Sequence, residues 1–309
     1  MGAGVSRWVD LGLPVHYLDF GGCADGPVVV AVHGLGGSAL NWSAIAPALT
    51  AHCRLLAPDL AGHGLTESLG RSTAVRANRA LLHRFIGTVA DSPVILMGNS
   101  MGGMISLLEA GLRPDSVAGL VLLDAASPFL PALPDPLVVA VFAGYATPLL
   151  GRAILAARRH TMSPEAAVGM LLRLCCADPS RVAAAVVAEH VDLARRRSGF
   201  PHADRDFLRA ARSVAVTANG LPRSSFRAAI RAIRVPALIL HGERDRLVPP
   251  SASRALAREH ASWQLDIMPG IGHVPQLEAP AQTAQAVLRW FESTPQAVKA
   301  ATHPLRFGT

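Results

Sequence analysis

The sequence predicts an α/β fold with a mostly parallel central sheet flanked by helices and an inserted helical cap. Short apolar runs alternate with helical patterns in the first third of the chain and again after residue 232, which is typical of parallel strands joined by helical crossovers. Between these stretches the chain shows only helical periodicity, broken by prolines. The chain then divides into a core domain (1–125 and 233–293), a helical cap (126–232) and a tail (294–309).

The predicted strands and helices follow in order along the chain. A continuous aliphatic and β-branched run, GPVVVAVHG (26–34), predicts a strand buried on both faces. Further strands are predicted at 55–57, SPVILMGNS (92–100), VAGLVLLD (117–124), VPALILHG (235–242) and SWQLDIM (262–268). Core helices are predicted at 41–51, 102–111, 251–261 and 282–292, and cap helices at 136–151, 163–176, 179–197 and 202–217. We expect the tail from residue 294 to be loosely attached.

Composition and charge restrict the class of protein. Half of the 309 residues are hydrophobic, so we expect one large domain with an insertion rather than several small domains. The formal net charge is +7, but the basic residues are spread along the chain. Their densest cluster, Arg195 to Arg197, lies in a helical stretch without interleaved aromatic residues. This pattern predicts a solvated helix face and no nucleic-acid partner.

Cysteines and apolar segments indicate the compartment. Four cysteines without a CxxC pair or metal-ligand spacing predict reduced thiols and no metal site. The N-terminal residues lack the apolar core of a secretory signal, so we expect a cytoplasmic location. The longest charge-free apolar run, 136–151, contains a proline and is shorter than the roughly 20 residues that span a bilayer. We therefore expect no stable membrane span.

The sequence GNSMGG at 98–103 follows a predicted strand and opens a predicted helix. This context fits the G-x-S-x-G nucleophile elbow, in which a sharp turn exposes a strained serine. Glycines at positions 98 and 102 remove side chains that would clash in such a turn. The following helix directs its N-terminal N–H groups at the serine. Ser100 is therefore the candidate nucleophile.

A serine nucleophile needs a base and a third group that orients the base. In elbow enzymes the acid and then the histidine follow the serine along the chain. Asp245 follows a late strand and His273 follows the last one, and loops at the carboxyl ends of parallel strands meet at one sheet edge. The predicted triad is Ser100, Asp245 and His273. Asp124, which also ends a strand, is the alternative acid, and His241 is expected to pack behind the Asp245 loop.

Two backbone N–H groups are expected to bind the oxyanion. One belongs to Met101, directly after the nucleophile. The other comes from the loop HGLGGS after the first buried strand, where Leu35 is the best candidate and Gly34 or Gly36 is an alternative. Triad chemistry of this kind needs no cofactor.

Five motifs together resemble the α/β-hydrolase superfamily over almost the whole chain: HGLGGS, LAPDLAGHGLTES, GNSMGG, HGERDRLVP and GHVPQLEAP. The resemblance implies a serine hydrolase with a helical cap. GNSMGG, with Asn99 before the serine, is similar to the meta-cleavage-product C–C hydrolases. That subgroup usually has a longer oxyanion loop, richer in glycine, and a tryptophan after the histidine, where this chain has Val274. A generic esterase or lipase is therefore favoured.

The predicted reaction is hydrolysis of a carboxylic ester, with a small-molecule acyl compound as substrate and a monomer or homodimer as the active form. Six residues are candidate substrate contacts, four of them in an apolar acyl pocket of the cap: Phe129, Leu137, Phe142 and Tyr145, with Asn99 and Val274 beside the triad. The alternatives are C–C bond hydrolysis, cofactor-free haloperoxidase or acyltransferase chemistry and, in another class, a ligand receptor with vestigial hydrolase activity.

Overall fold

One sheet of eight strands forms the centre of the fold. The computed structural model describes residues 4–91, 93–129, 131–132, 134–219, 223–303 and 305. The strands are β1 (Val5–Asp10), β2 (Pro14–Gly22), β3 (Val28–Val32), β4 (Arg54–Pro58), β5 (Val94–Asn99), β6 (Val117–Leu123), β7 (Ala237–Gly242) and β8 (Gln264–Met268). Their order is β1-β2-β4-β3-β5-β6-β7-β8. Only β2 is antiparallel to its neighbours β1 and β4, and the other pairs are parallel, which confirms the predicted sheet.

Helices cover both faces of the sheet and fill the chain between β6 and β7. The helices before β6 are α1 (Ala46–Leu49), α2 (Val75–Val89) and α3 (Met101–Leu112). The helices between β6 and β7 are α4 (Pro136–Ala146), α5 (Pro148–Thr161), α6 (Pro164–Cys175), α7 (Ala184–Arg197), α8 (Ala203–Asn219) and α9 (Arg223–Ala232). The helices after β7 are α10 (Pro250–Arg258), α11 (Pro275–Glu278), α12 (Pro280–Ser293) and α13 (Pro295–Ala300). We call residues 126–232 the helical insertion. Its status as a separate cap domain stays a prediction.

Alternate residues of the central strands enter two different hydrophobic clusters. Val28, Val30 and Val32 of β3 pack with side chains of α2, α3 and α9. Val29 and Ala31 of the same strand pack on the other face, with side chains of α1 and α12. Because both faces are covered, the strand reads as one continuous apolar run rather than as an alternating pattern.

Prolines divide two of the predicted cap helices. The predicted helix 136–151 is two helices, α4 and α5, because Pro148 cannot continue a helix but suits the first turn of a new one. The predicted helix 179–197 is a short 3-10 turn, Pro179–Arg181, followed by α7. The predicted core helix 41–51 is likewise shorter, a 3-10 turn at Ala39–Trp42 and then α1.

Two parts of the core carry no clear signal in the sequence. β1 lies at the sheet edge, and five of its six residues are exposed, so it lacks the apolar run of a buried strand. The helix α2 begins after Ala74, which has no side chain that can accept a hydrogen bond from the first turn. A helix without a capping residue gives no start signal to sequence analysis.

The C-terminal segment is attached to the core over most of its length. α13 extends from Pro295 to Ala300, and the carbonyl of the fully buried Ala301 accepts a 2.8 Å hydrogen bond from the Val28 N–H. Leu305 forms a β-bridge with Ala90. The expectation of a loosely attached tail is therefore wrong for residues 294–303. Residues 304 and 306–309 lie outside the described part of the chain.

The arginine cluster at the end of α7 is only partly solvated. Arg195 is exposed and pairs with Glu165 and Asp192. Arg197 instead turns inward, and its guanidinium donates hydrogen bonds to the carbonyls of Gly62 and Gly64 in the core. The predicted solvated face is therefore wrong for Arg197, which fastens the helical insertion to the loop after β4.

The state of the cysteines and the lengths of the apolar helices can be read from the structure. All four cysteines are free thiols, and burial raises the pKa of Cys53 and of Cys175 to about 12 each. In the part of the chain that the structure describes, no helix by itself has the length and apolar character needed to cross a membrane. One pair, Pro136–Ala146 with Leu149–Thr161, satisfies both criteria when combined, although its axes meet at 107°.

Candidate active site

Ser100 lies at a sharp turn between β5 and α3. Its φ of +55° and ψ of −115° fall outside the regions that a residue with a side chain normally adopts. The backbone on both sides holds it there: the Ser100 N–H donates to the Leu123 carbonyl at 3.0 Å, and its own carbonyl accepts from the Ala126 N–H at 3.1 Å. Such strain persists only where the surrounding structure enforces it, and it concentrates at functional sites.

Two glycines make room for this turn. A Cβ atom at position 98 would lie 2.6 Å from the Gly102 carbonyl oxygen, and a Cβ atom at position 102 would lie 1.9 Å from the Val32 carbonyl oxygen. Both distances are far below a van der Waals contact. The steric role expected of Gly98 and Gly102 is confirmed.

The structure brings Asp245 and His273 together. His273 Nδ1 lies 2.7 Å from Asp245 Oδ2, and both side chains are buried. The other oxygen, Oδ1, accepts hydrogen bonds from the N–H groups of Leu247 at 2.7 Å and Val248 at 3.0 Å. Burial by itself would raise the pKa of Asp245, but the charge of His273 and hydrogen bonds from His273 and His241 outweigh burial, so the pKa lies below its ordinary value. Asp245 is therefore ionised.

His241 and Asp124 complete a buried polar network behind this pair. His241 Nδ1 lies 2.7 Å from Ser253 Oγ, and Nε2 lies 2.9 Å from the Val248 carbonyl and 3.4 Å from Asp245 Oδ2. The expectation that His241 packs behind the Asp245 loop is confirmed. Because a carbonyl only accepts hydrogen bonds, Nε2 carries a hydrogen, and this histidine is not poised to bind a cation together with Asp124 and Asp245.

Asp124 ends β6 and is fully buried with a φ of +47°. Its Oδ1 accepts a 2.9 Å hydrogen bond from the Gly242 N–H, whereas no donor among the described residues faces Oδ2. Burial raises the pKa of Asp124 well above its ordinary value; His241 opposes the rise, and Asp245 adds to it. A protonated Asp124 would present a hydroxyl donor, and a hydrogen bond with the Asp245 carboxylate is among the causes that raise the Asp124 pKa. The geometry favours Asp245 over Asp124 as the partner of His273.

We expect Asp124→Asn to stabilise the protein increasingly as pH rises. The raised pKa means that the folded state keeps a proton that the unfolded state loses above about pH 4, so the wild type loses stability as pH rises from there towards the folded-state pKa. The neutral amide of the variant does not titrate, so the variant does not lose stability in this way as pH rises. The difference in unfolding free energy should grow by up to about 1.4 kcal/mol per pH unit in that window. Urea unfolding of both proteins at pH 5, 6.5 and 8 measures it, and a pH-independent difference would contradict a protonated Asp124.

The predicted oxyanion donors border the elbow. Met101 is the first residue of α3, and Leu35 lies in the loop after β3. Neither N–H is paired with a backbone carbonyl of the described residues. The loop is fixed by His33, whose Nδ1 lies 2.8 Å from the Gly34 carbonyl and whose Nε2 accepts from the Leu60 N–H at 3.0 Å. Burial lowers the pKa of His33, so the ring stays neutral as a support for this loop.

Asn99, the residue before Ser100, forms hydrogen bonds to two backbone carbonyls. Only 1% of the residue is exposed, and its Nδ2 donates to the carbonyls of Leu123 at 3.1 Å and His273 at 3.0 Å. A contact of Asn99 with the substrate stays a prediction. The side chain ties the elbow strand to the histidine loop, which the sequence alone could not indicate because the two lie 174 positions apart.

A contact that sequence analysis missed joins the helical insertion to the histidine loop. The His273 N–H donates to the Cys175 carbonyl at 2.6 Å. Nearby, the carboxylate of Glu278 is completely buried and accepts hydrogen bonds from three N–H groups, those of Ala177, Asp178 and Gly272, at 3.1, 2.8 and 2.9 Å. Glu278 belongs to the motif GHVPQLEAP, but two of its three partners, Ala177 and Asp178, lie about 100 residues earlier in the chain.

We expect Glu278→Ala to destabilise the fold by about 3 kcal/mol. The substitution leaves three buried N–H groups without an acceptor, and each unsatisfied buried donor costs on the order of 1–3 kcal/mol. Urea unfolding measures the effect. Glu259→Ala, which removes an exposed ion pair with Arg231, is the control and should cost under about 1 kcal/mol. An equal loss of unfolding free energy in the two variants would show that Glu278 does not hold the helical insertion to the histidine loop.

The other candidate substrate contacts differ in their surroundings. Tyr145 packs with Leu155, Leu208 and the partly buried Leu35, and Phe142 stands edge-on to it at 6.4 Å between ring centroids. Leu137, in contrast, is 58% exposed at the start of α4 and lies outside this cluster, and its place in an acyl pocket stays a prediction.

Phe129 and Val274 serve the packing of the insertion. Phe129 is buried in the core cluster, with the Arg227 guanidinium 5.0 Å above its ring. Val274 is buried in a small cluster with Cys176 and Val186 of the insertion. These two residues hold the insertion against the β6 and β8 loops, and a contact with substrate stays a prediction for both.

The chain is similar to known proteins over most of its length. The model of the "Alpha/beta hydrolase family" matches residues 29–286. A 2-hydroxy-6-oxo-2,4-heptadienoate hydrolase of Pseudomonas putida is 30% identical over 270 residues, 82% of this chain and 84% of the relative. The dihydrolipoyllysine-residue acetyltransferase component of the acetoin cleaving system of Pseudomonas putida is 29% identical over 89% of this chain, which spans 65% of the relative's length.

A solved structure agrees in fold. A serine hydrolase involved in carbazole degradation superposes with a TM-score of 0.71 at 24% identity, covering 94% of this chain and all of the other. The likeness at this level of identity concerns the fold. Together with the family match over 29–286, it establishes that the chain belongs to the alpha/beta hydrolase family.

Proposed function

We propose that the protein is a serine hydrolase that cleaves a carboxylic ester through an acyl-enzyme, with Ser100, His273 and Asp245 as its catalytic triad. The observation that carries the proposal is a buried His273–Asp245 pair with a 2.7 Å contact, together with a serine in a strained elbow at the end of β5. Asn99 links the two through its hydrogen bond to the His273 carbonyl. This combination supplies a nucleophile, a base and an orienting carboxylate.

The first half of the reaction acylates Ser100. Since the Asp245 carboxylate only accepts hydrogen bonds, His273 Nδ1 carries the hydrogen and Nε2 is free to act as base. Nε2 takes the hydroxyl proton as Ser100 Oγ attacks the ester carbonyl carbon. The oxyanion that forms is stabilised by the Leu35 and Met101 N–H groups, and a single donor of this kind is worth about 3 kcal/mol in the transition state.

The second half releases the acid. The protonated His273 gives its proton to the leaving alcohol oxygen, and the carbon–oxygen bond of the ester breaks. Water then enters, His273 takes a proton from it, and the hydroxide attacks the acyl carbon. Collapse of the second oxyanion returns the proton to Ser100. Asp245 stabilises the imidazolium in both halves and stays ionised throughout.

A substrate panel tests the proposal. Purified protein would be assayed with p-nitrophenyl esters of increasing acyl length, lactones and dienoate diketo acids, with Ser100→Ala as the blank. We expect multiple turnovers on esters, with a preference for apolar acyl groups that the cluster around Tyr145 can pack against. A single turnover followed by a stable adduct would instead support a ligand receptor with vestigial activity.

A C–C bond hydrolase is the second candidate, and one observation favours it. The heptadienoate hydrolase of Pseudomonas putida is 30% identical over most of both chains. Against it stands Asn99, the residue that first suggested this subgroup, because its amide is engaged by two backbone carbonyls. Turnover of a dienoate diketo acid faster than any ester in the same panel would overturn the ester proposal. An acetyltransferase reaction would show as transfer of the acyl group to an added thiol or alcohol.

A further inference from the structure

The outward face of α4 and the start of α5 is apolar. Seven exposed residues form this face, which we call the apolar ridge: Leu137, Val139, Ala140, Ala143, Ala146, Leu149 and Leu150. Leu149 is 80% exposed and Leu150 is 51% exposed. Helix α4 contains no charged residue, whereas a helix at the surface of a globular protein normally carries polar residues on its outer face.

The packing of the protein itself does not account for the ridge. The opposite side of α4, with Val138, Gly144 and Tyr145, already faces the interior. Val139, Ala143 and Ala146 recur every three or four positions, so they lie on one face of α4, and the exposed Leu149 and Leu150 follow at the start of α5. A contiguous apolar patch of this kind marks a surface that is covered by something else.

The helical insertion carries the net charge of the whole protein. Residues 126–232 contain fourteen arginines and seven acidic residues, and the rest of the chain contains fifteen basic and fifteen acidic residues. The formal charge of +7 therefore belongs to the insertion, and the core is neutral. Arg152 is exposed two positions after Leu150, and Arg209 is exposed on α8, which packs against both α4 and α5.

We propose that the apolar ridge docks on the surface of an anionic phospholipid membrane. Apolar side chains on a basic element are the combination that binds such surfaces, because burial in the acyl boundary and attraction to anionic headgroups act together. A second copy of the chain fits less well, since a symmetric contact through the ridge would bring two insertions of charge +7 against each other.

Docking at the ridge would place the membrane next to the candidate site. Tyr145, on the inner side of α4, shares a cluster with Leu35, whose N–H is one of the proposed oxyanion donors. A lipid acyl chain leaving the membrane at α4 would therefore meet the cluster directly. The docking itself does not depend on the proposed reaction, because it rests on exposure and charge alone.

Vesicle co-sedimentation tests the proposal. The full chain would be mixed with vesicles of phosphatidylcholine alone or of phosphatidylcholine with phosphatidylglycerol, at low and at high salt. We expect binding to the anionic vesicles that weakens at high salt, and at least tenfold weaker binding to neutral ones. The Leu149→Ser/Leu150→Ser variant should bind anionic vesicles at least tenfold more weakly than wild type, since two exposed leucines no longer enter the lipid.

A matched control separates the ridge from general surface hydrophobicity. The Leu69→Ser/Leu112→Ser variant removes two leucines that are 50% and 53% exposed on the core, and it should bind like wild type. Circular dichroism and turnover of a water-soluble ester check that both variants fold. Ser100→Ala should bind vesicles normally, so a failed reaction and failed docking can be told apart.

Three results would overturn the proposal: no binding of wild type to anionic vesicles, equal binding of the ridge variant, or equal binding to neutral and anionic vesicles. Light scattering could give a fourth such result. If the wild type forms a dimer and the ridge variant does not, a second copy of the chain is the partner of the ridge.

Discussion

Ser100→Ala is expected to lower ester turnover by about 10⁴-fold or more and to abolish labelling by a fluorophosphonate probe. The reason is that Ser100 Oγ is the only protein atom that bonds to the acyl carbon in the proposed mechanism. The main chain of the elbow should be unaffected, because its hydrogen bonds to Leu123 and Ala126 use backbone atoms only. Turnover, probe labelling and thermal unfolding of the variant together measure these effects.

Ser106→Ala is the matched control for this experiment. Ser106 lies in the same helix, α3, and is buried, but its hydroxyl donates to the Gly102 carbonyl at 2.8 Å and takes no part in the proposed reaction. We expect this variant to label normally and to keep turnover within a few fold of wild type. Labelling at full strength in Ser100→Ala would mean that another residue is the nucleophile.

Asp245→Asn is expected to lower kcat by about 10⁴-fold. Two N–H groups, from Leu247 and Val248, point at Oδ1, so the amide oxygen of asparagine takes that place. The amide NH₂ then faces His273 Nδ1 and favours the tautomer with hydrogen on Nε2. An Nε2 that already carries a hydrogen cannot accept the Ser100 proton. Steady-state kinetics measure the loss, which should fall on kcat more than on KM.

Asp124→Asn is the control for Asp245→Asn, because it makes the same chemical change in the other buried carboxyl. The amide oxygen of the variant can accept the same hydrogen bond from the Gly242 N–H. Its NH₂ group takes the position of Asp124 Oδ2, which accepts no hydrogen bond from the described residues. We expect activity within about tenfold of wild type. If Asp124→Asn proves the more damaging of the two, Asp124 is the orienting acid.

Much of the fold could be predicted from local patterns. Buried parallel strands read as continuous apolar runs, and a serine between Gly98 and Gly102 has few other structural explanations, so the sheet and the elbow could be placed from the sequence. The hairpin β1–β2 and the helix α2 could not, because an exposed edge strand and an uncapped helix leave little local signal. The divisions at Pro148 and after Pro179 show how proline sets helix boundaries that periodicity alone overlooks.

The sequence by itself determined the sheet, the elbow and the order of serine, acid and histidine, because these depend on residue type and on neighbours within a few positions. Only the tertiary structure decided what pairs across long separations. It brings His273 Nδ1 within 2.7 Å of Asp245 Oδ2, whereas Asp124 accepts a hydrogen bond from the Gly242 N–H. It also joins the Asn99 side chain to the histidine loop through a hydrogen bond to the His273 carbonyl. The first of these contacts joins residues 28 positions apart and the other two join residues over a hundred positions apart, so no local pattern encodes them.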